Sequence, residues 1–442
     1  MKAKKVFFNV HSWIGIRLSI LFFIVCFSGT LATLSHEMDW LFNPAIRARP
    51  QEQLASRNAM MANFRALYPD AKITYWIRHD EPYLCDIMYR EENGDLSYVF
   101  ANPYTGRIQG ESNLTVQRYF RDLHYFLFIP FYQIGYFMVL IFAFLLLVSL
   151  VTALFFYKKW WRKLFELQTG KGPLVFFRSL HRLVGLWSVP FTLLFSVTGI
   201  WYFMERANIA GIRNTANPVV PKVETILDLG KKSDARKVDL SCTIDYDTAV
   251  ALAKREIPNL TVGSITPPRK PNGSIYLSGH SDVPLVRQRA NRVYIDPYTY
   301  EVTGVQRAEG MGTVMWLNDI ADPLHFGYWG GLATKVIWFI MGIGICSLIL
   351  TGIWIRLKRK ALKRKKTKQK VMGAWRYINW SIFVMIVLFM AYMLMERYNA
   401  SLHAMVVIGQ GWTLFLLLAY YIFVHRLDSA VARDLKSVRE TK

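Results

Sequence analysis

The chain has 442 residues, of which 53% are hydrophobic, 15% aromatic and only 19% charged, and its formal net charge is +23. Apolar residues gathered in long runs exclude an ordinary soluble enzyme. Four cysteines with no CxxC pair give no sign of a disulfide framework and argue against zinc and iron–sulfur sites.

Six runs are long enough to cross a hydrocarbon core of about 30 Å, which needs about 20 helical residues. The first, Trp13–Leu34, follows Lys2, Lys4 and Lys5. It is too long for a signal-peptide core, and its pattern recurs at Leu183, where no signal peptide stands. The segment His36–His124 follows, with 10 basic and 12 acidic residues. In it, Gln51–Tyr68 reads as an amphipathic helix. Alternating stretches at Thr74–Met88 and Leu96–Ala101 lead to the turn Asn102-Pro-Tyr-Thr-Gly106. The second run, Phe131–Tyr157, ends on Lys158, Lys159, Arg162 and Lys163, and the third is Leu183–Met204. The segment Glu205–His325 carries 15 basic and 14 acidic residues. Its pattern is the same: a helix at Asp247–Ile257, strands at Ser274–Ser278 and Arg292–Ile295, and the turn Asp296-Pro-Tyr-Thr-Tyr300. The fourth run, Leu332–Ile355, meets a stretch from Arg356 to Arg376 with 11 basic residues and no acidic one. The last two runs are Ile378–Met395 and Ala404–Val424. The basic excess lies beside the runs and not in the long segments, which is positive-inside asymmetry. Both termini and the basic loops are therefore expected in the cytoplasm of a bacterium, and the two long segments outside its inner membrane. The basic stretch is suited to anionic lipid. No aromatic residues interleave with its lysines as nucleic-acid binding would favour.

The halves repeat. His11-Ser-Trp-Ile-Gly15 and His181-Arg-Leu-Val-Gly185 open the first and third runs, and Ser28-Gly29 and Thr198-Gly199 lie late in them, all at an offset of 170. Asp122-Leu-His124 precedes the second run and Pro323-Leu-His325 the fourth. The expected fold class is thus an α-helical integral membrane protein of about six transmembrane helices, with two small extracytoplasmic α+β domains from an internal duplication. The divisions are a first helix (1–36), first domain (37–123), second helix (124–158), cytoplasmic loop (159–180), third helix (181–204), second domain (205–324) and fourth helix (325–355). A basic loop (356–376), helices five and six (377–425) and a cytoplasmic tail (426–442) complete the chain. Helices five and six have no repeat partner.

Of nine histidines, His11 and His181 stand at the cytoplasmic ends of helices one and three, and His124 and His325 at the outer ends of helices two and four. Two imidazoles from two helices can fill both axial positions of a haem iron. Gly15 and Gly185 share a helix face with His11 and His181, so a flat macrocycle can lie close to the backbone there. Gly29 and Gly199 either do the same deeper in the bundle or let helices approach. The alternative for each histidine is an interfacial side chain bonded to headgroups or backbone. His36, His403 and His425 are reserves, and surface histidine is the default for His79 and His280. There is no HExxH, GxSxG, phosphate-cradling loop or dinucleotide fingerprint, and so no visible NAD(P)H site.

The paired HxxxG starts, the SG and TG pairs, the Leu-His exits and the DPYT-type hairpins resemble the PepSY-associated transmembrane family over roughly residues 5–360. That family includes iron-uptake factors of the PiuB type and ferric-siderophore reductases of the FoxB type. The resemblance implies periplasmic PepSY-like domains and an inner-membrane reductase with two b-type haems, its motif histidines mapping to His11, His181, His124 and His325. Electrons would pass from an unknown donor, quinol or flavoprotein, to a ferric siderophore or chelate in the periplasm. The rivals are a non-enzymatic PepSY-type binding protein and an iron or siderophore transporter.

Overall fold

The computed structural model describes residues 2–92, 94–157, 159–223, 241, 243–363 and 374–421. Residues 364–373 of the basic stretch, His425 and the tail lie outside the described residues. The chain forms two compact units. One is helical (Met1–Leu34, Arg118–Phe203 and Lys335–Lys442), and the other carries the sheet (Ser35–Gln117 and Met204–Thr334).

Helices α1 (Lys2–Arg17) and α2 (Ser19–Ala32) are one apolar stretch broken at Leu18 and bent by 75°. Helices α3 (Ser35–Phe42) and α4 (Arg57–Leu67) lead into strands β1 (Lys72–Ile77), β2 (Asp86–Glu92), β3 (Asp95–Ala101) and β4 (Ile108–Ser112). Helix α5 (Val116–Phe126) carries His124. Helix α6 (Tyr132–Phe156) has 25 residues, about 37 Å of helix, which is more than a bilayer core needs. Helices α7 (Pro173–Trp187) and α8 (Val189–Arg206) form a second bent pair, at 58°. Short α9 (Ile212–Ala216) and α10 (Tyr246–Glu256) precede β5 (Thr261–Thr266), β6 (Ile275–His280), β7 (Asn291–Ile295) and β8 (Val302–Gln306). Helices α11 (Thr313–Phe326), α12 (Gly331–Lys363), α13 (Trp375–Tyr392) and α14 (Leu402–Tyr420) follow.

Among the described residues three helices, Tyr132–Phe156, Tyr328–Arg359 and Tyr377–Arg397, are long and apolar enough to cross a membrane, or five if each bent pair is one span. Six spans are expected from the sequence; the described residues give three to five, because the first and third runs are bent and the sixth run, read as Ala404–Val424, is described only to Tyr421, with an apolar helix over Leu402–Leu418. Each bend has a chemical cause. Buried Asn379 of α13 bridges the first break: its amide donates to the Arg17 carbonyl at 2.6 Å and accepts from the Ile20 N–H at 3.3 Å. Backbone groups freed by the break are thus satisfied inside protein, as an apolar surrounding demands. At the second break the Ser188 hydroxyl donates to the Val184 carbonyl at 2.7 Å, and Pro190 supplies no N–H to continue the ladder.

In the sheet-bearing unit the order helix, strand, strand, strand, strand occurs twice, as α4 with β1–β4 and α10 with β5–β8. The two domains expected from the sequence share one antiparallel sheet of order β4-β3-β2-β1-β5-β6-β7-β8. Its seam pairs Trp76 with Ile265 and Ile77 with Ser264. One core runs across the seam, from Met60 and Phe64 of α4 through Trp76 and Val99 to Ala249, Ile265 and Leu277. The helix N-termini are tied as well. Asp247 accepts the Arg57 N–H at 2.8 Å and the Asn58 N–H at 3.3 Å, and the Asn58 amide donates to Asp245 at 2.7 Å. Orphan N–H groups at the start of α4 are therefore capped by a residue of α10. Both Asx turns are present: Asn102 accepts from Tyr104 and Thr105, and Asp296 from Tyr298 and Thr299.

Candidate functional site

Within the helical unit, α1 and α7 bring His11 and His181 together, with ring centroids 6.5 Å apart and planes at 85°. Two imidazoles bound on opposite sides of one metal at about 2.0–2.1 Å each have ring centres about 6.3 Å apart, so the observed spacing suits a shared ion. The hydrogen bonds fix the tautomers. His11 Nδ1 lies 3.0 Å from the Ser149 carbonyl oxygen and 3.1 Å from the Ser149 hydroxyl; the carbonyl can only accept, which favours the proton on Nδ1. His181 Nδ1 lies 2.9 Å from the Thr351 hydroxyl oxygen. That hydroxyl spends its own hydrogen on the Ser347 carbonyl at 2.7 Å, so it too accepts from Nδ1–H. In both rings Nε2 keeps the lone pair that a metal needs, and the outer hydrogen bond holds the ring in place.

Both histidines line a cavity of about 660 Å³, inside the range of about 300–1,000 Å³ usual for ligand and cofactor sites. Gly15 and Gly185 line it too. A Cβ at Gly15 would meet nothing within 4 Å, and one at Gly185 only Leu348 at 3.7 Å. The cations Lys171, Arg178, Arg182, Arg356 and Arg359 share the lining and suit the carboxylates of an amphipathic ligand. Two imidazoles with ring centroids 6.5 Å apart, side-chain-free backbone beside them and a cationic lining fit a haem with its propionates.

The other candidates fall elsewhere. His124 belongs to the helical unit, His325 to the sheet-bearing one. His124 Nδ1 lies 2.9 Å from the Val25 carbonyl, so its tautomer matches that of His11. Its ring occupies the space that Gly29 leaves, where a Cβ would stand 2.7 Å from His124 Cε1. Gly29 thus seats a histidine, and Gly199 packs against Ala143, where a Cβ would come within 2.6 Å. An acidic residue anchors each exit helix before its histidine. On α5, Asp122 pairs with Arg121 at 2.8 Å and accepts from Tyr398. On α11, fully buried Asp319 takes Arg287 at 2.6 Å and Arg289 at 2.9 Å, while Arg287 also pairs with Asp322. His325 sits half-buried near the end of α11. His403 is exposed at the start of α14. His280 bonds Asp80 at 3.2 Å. Sequence reasoning missed Ser149 and Asn379, and the repeated ends Val151-Thr152-Ala and Leu350-Thr351-Gly marked Thr351 without giving it a role. The polar residue in an apolar run was the available signal for each.

The uncharacterized protein PA4219 of Pseudomonas aeruginosa is 24% identical over 256 residues, 54% of this chain. The match covers 63% of that relative, so the chain spans under two thirds of its length. The family model described as the PepSY-associated TM region matches residues 8–359, most of the chain and all four motif histidines. With its apolar helices and its sheet, this is a multi-pass membrane protein that belongs to the PepSY-associated TM family.

Proposed function

We propose that the protein is a di-haem ferric reductase of the bacterial inner membrane. Both termini lie in the cytoplasm, and the sheet-bearing unit, a duplicated PepSY-like domain, lies in the periplasm. The observation that carries the reading is the His11–His181 pair, two hydrogen-bonded imidazoles with ring centroids 6.5 Å apart on one cavity. A haem b held there supplies one-electron transfer. Ser149 and Thr351 orient the ligating rings, and the cationic lining neutralises the carboxylates. For a second haem b the reading rests on the sequence, which sets His124 and His325 at corresponding exits. The acceptor is a ferric siderophore or chelate, and reduction to Fe(II) loosens its hard oxygen ligands. The donor is a quinol or a flavoprotein. A pyridine haemochrome assay on purified protein tests the reading. Two haems b per chain are expected, falling to one in His11→Ala and one in His124→Ala. Protein that binds no haem would overturn it.

A further inference from the structure

We propose that the sheet-bearing unit holds a site for a divalent first-row transition-metal ion, formed by His36, His79 and Glu81. The three residues come from places that sequence reading kept apart: the first turn of α3 and the loop after β1. Each offers one ligand atom, and those atoms all lie within 4.8 Å of one another. The two imidazole centroids are 4.7 Å apart with planes at 69°, and all three side chains are half-buried. Ligands bonded at about 2.0–2.1 Å around a tetrahedral ion sit about 3.4 Å apart. The ligand atoms, all within 4.8 Å of one another, lie about 1.4 Å or less from that spacing. Two imidazoles with one carboxylate suit zinc, iron or cobalt, and leave coordination positions open. Calcium and magnesium prefer all-oxygen sites.

The loop is held by bonds that leave the ligand side-chain atoms uninvolved. The Arg78 N–H donates to the Gly263 carbonyl at 2.7 Å, and its guanidinium grips buried Asp86 at 2.9 Å. Asp80 pairs with His280 at 3.2 Å. The Leu84 N–H closes the turn on the Glu81 carbonyl at 3.1 Å. On the other side, Asp39 of α3 accepts the Val116 and Gln117 N–H groups at 2.7 and 2.9 Å. A ligand set carried on pinned backbone loses little freedom on binding. The site stands independently of the haem reading.

Chelator-treated full-length protein in detergent, dialysed against buffered Zn²⁺ and assayed by mass spectrometry of the metal, tests the proposal. His79→Ala and Glu81→Gln should each bind one zinc fewer per chain, or bind it at least about tenfold more weakly. His403→Ala, at an exposed histidine, should keep that zinc. X-ray absorption of the bound zinc should show imidazole scattering in the wild type. Glu81→Gln changes a single side-chain atom, so it reads the site even where His79→Ala impairs folding. Zinc stoichiometry and affinity equal to wild type in both the His79→Ala and Glu81→Gln proteins would overturn the assignment. So would loss of that same zinc in His403→Ala.

Discussion

Thr351 gives the sharpest handle on the histidine pair, because its hydroxyl both accepts from His181 Nδ1 at 2.9 Å and donates to Ser347 at 2.7 Å. Thr351→Val keeps the shape and removes the acceptor. A buried ring N–H left without a partner costs about 1–3 kcal/mol, and loss of a second-layer partner lowers metal affinity about 10–100-fold. Thr351→Val should therefore release haem from the His11–His181 site about tenfold or more faster. Thr351→Ser, which restores the hydroxyl, should return to the wild-type rate. Haem transfer to an apo-globin acceptor, followed by absorbance, gives the rate, and circular dichroism checks that the fold is kept. A Thr351→Val protein with wild-type release and an unchanged haem spectrum would refute both the tautomer assignment and the ligand role of His181.

Gly29→Ala places a methyl 2.7 Å from the His124 ring and should displace it, lowering the haem count by one while the His11–His181 haem remains. An unchanged count would separate His124 from haem binding. Asp247→Ala removes the acceptor for two N–H groups at the start of α4 and should destabilise the sheet-bearing unit by about 1–2 kcal/mol, read as a lower thermal midpoint. An unshifted midpoint would mean that the helix tie carries no stability. Burial raises the Asp39 carboxyl to about 6, against the bonds from Gln117 and Val116 that lower it. The folded state then holds a proton that the unfolded chain gives up near pH 4. The stability that Asp39 contributes falls as pH rises from about 4 to about 6 and levels off above. Asp39→Asn should remove this dependence, and thermal midpoints across that window check it. Wild-type and Asp39→Asn midpoints that run parallel across that window would contradict the burial argument.

Chemistry repeated in the sequence was legible; chemistry assembled over distance was not. The apolar runs marked the helices, and the HxxxG offsets pointed to His11, His181, Gly15 and Gly185, which the structure gathers round one cavity. Gly29 carried the same signal yet faces a histidine, because a motif records a missing side chain and not what fills the gap. The breaks at Leu18 and Ser188 were hidden, since hydropathy is blind to a bend. Asn379, which satisfies the first break, lies about 360 residues away in sequence. The seam from β1 to β5 was equally invisible: strand pairing depends on edges that meet only after folding, and alternation within each strand is the same whether its neighbour is near or remote. His36 stood only as a reserve ligand and His79 as a surface histidine by default, and nothing in the sequence marked Glu81 as their neighbour.

The most direct test of the reductase account is ferric reduction by sealed inner-membrane vesicles of known orientation, with haem spectra and Fe(II) capture recorded together. Wild-type protein should reduce a ferric chelate offered on the periplasmic side. His124→Ala should keep a haem that the donor reduces and yet deliver no Fe(II). His11→Ala should keep a haem that only dithionite reduces. Normal ferric reduction by both variants would contradict the account.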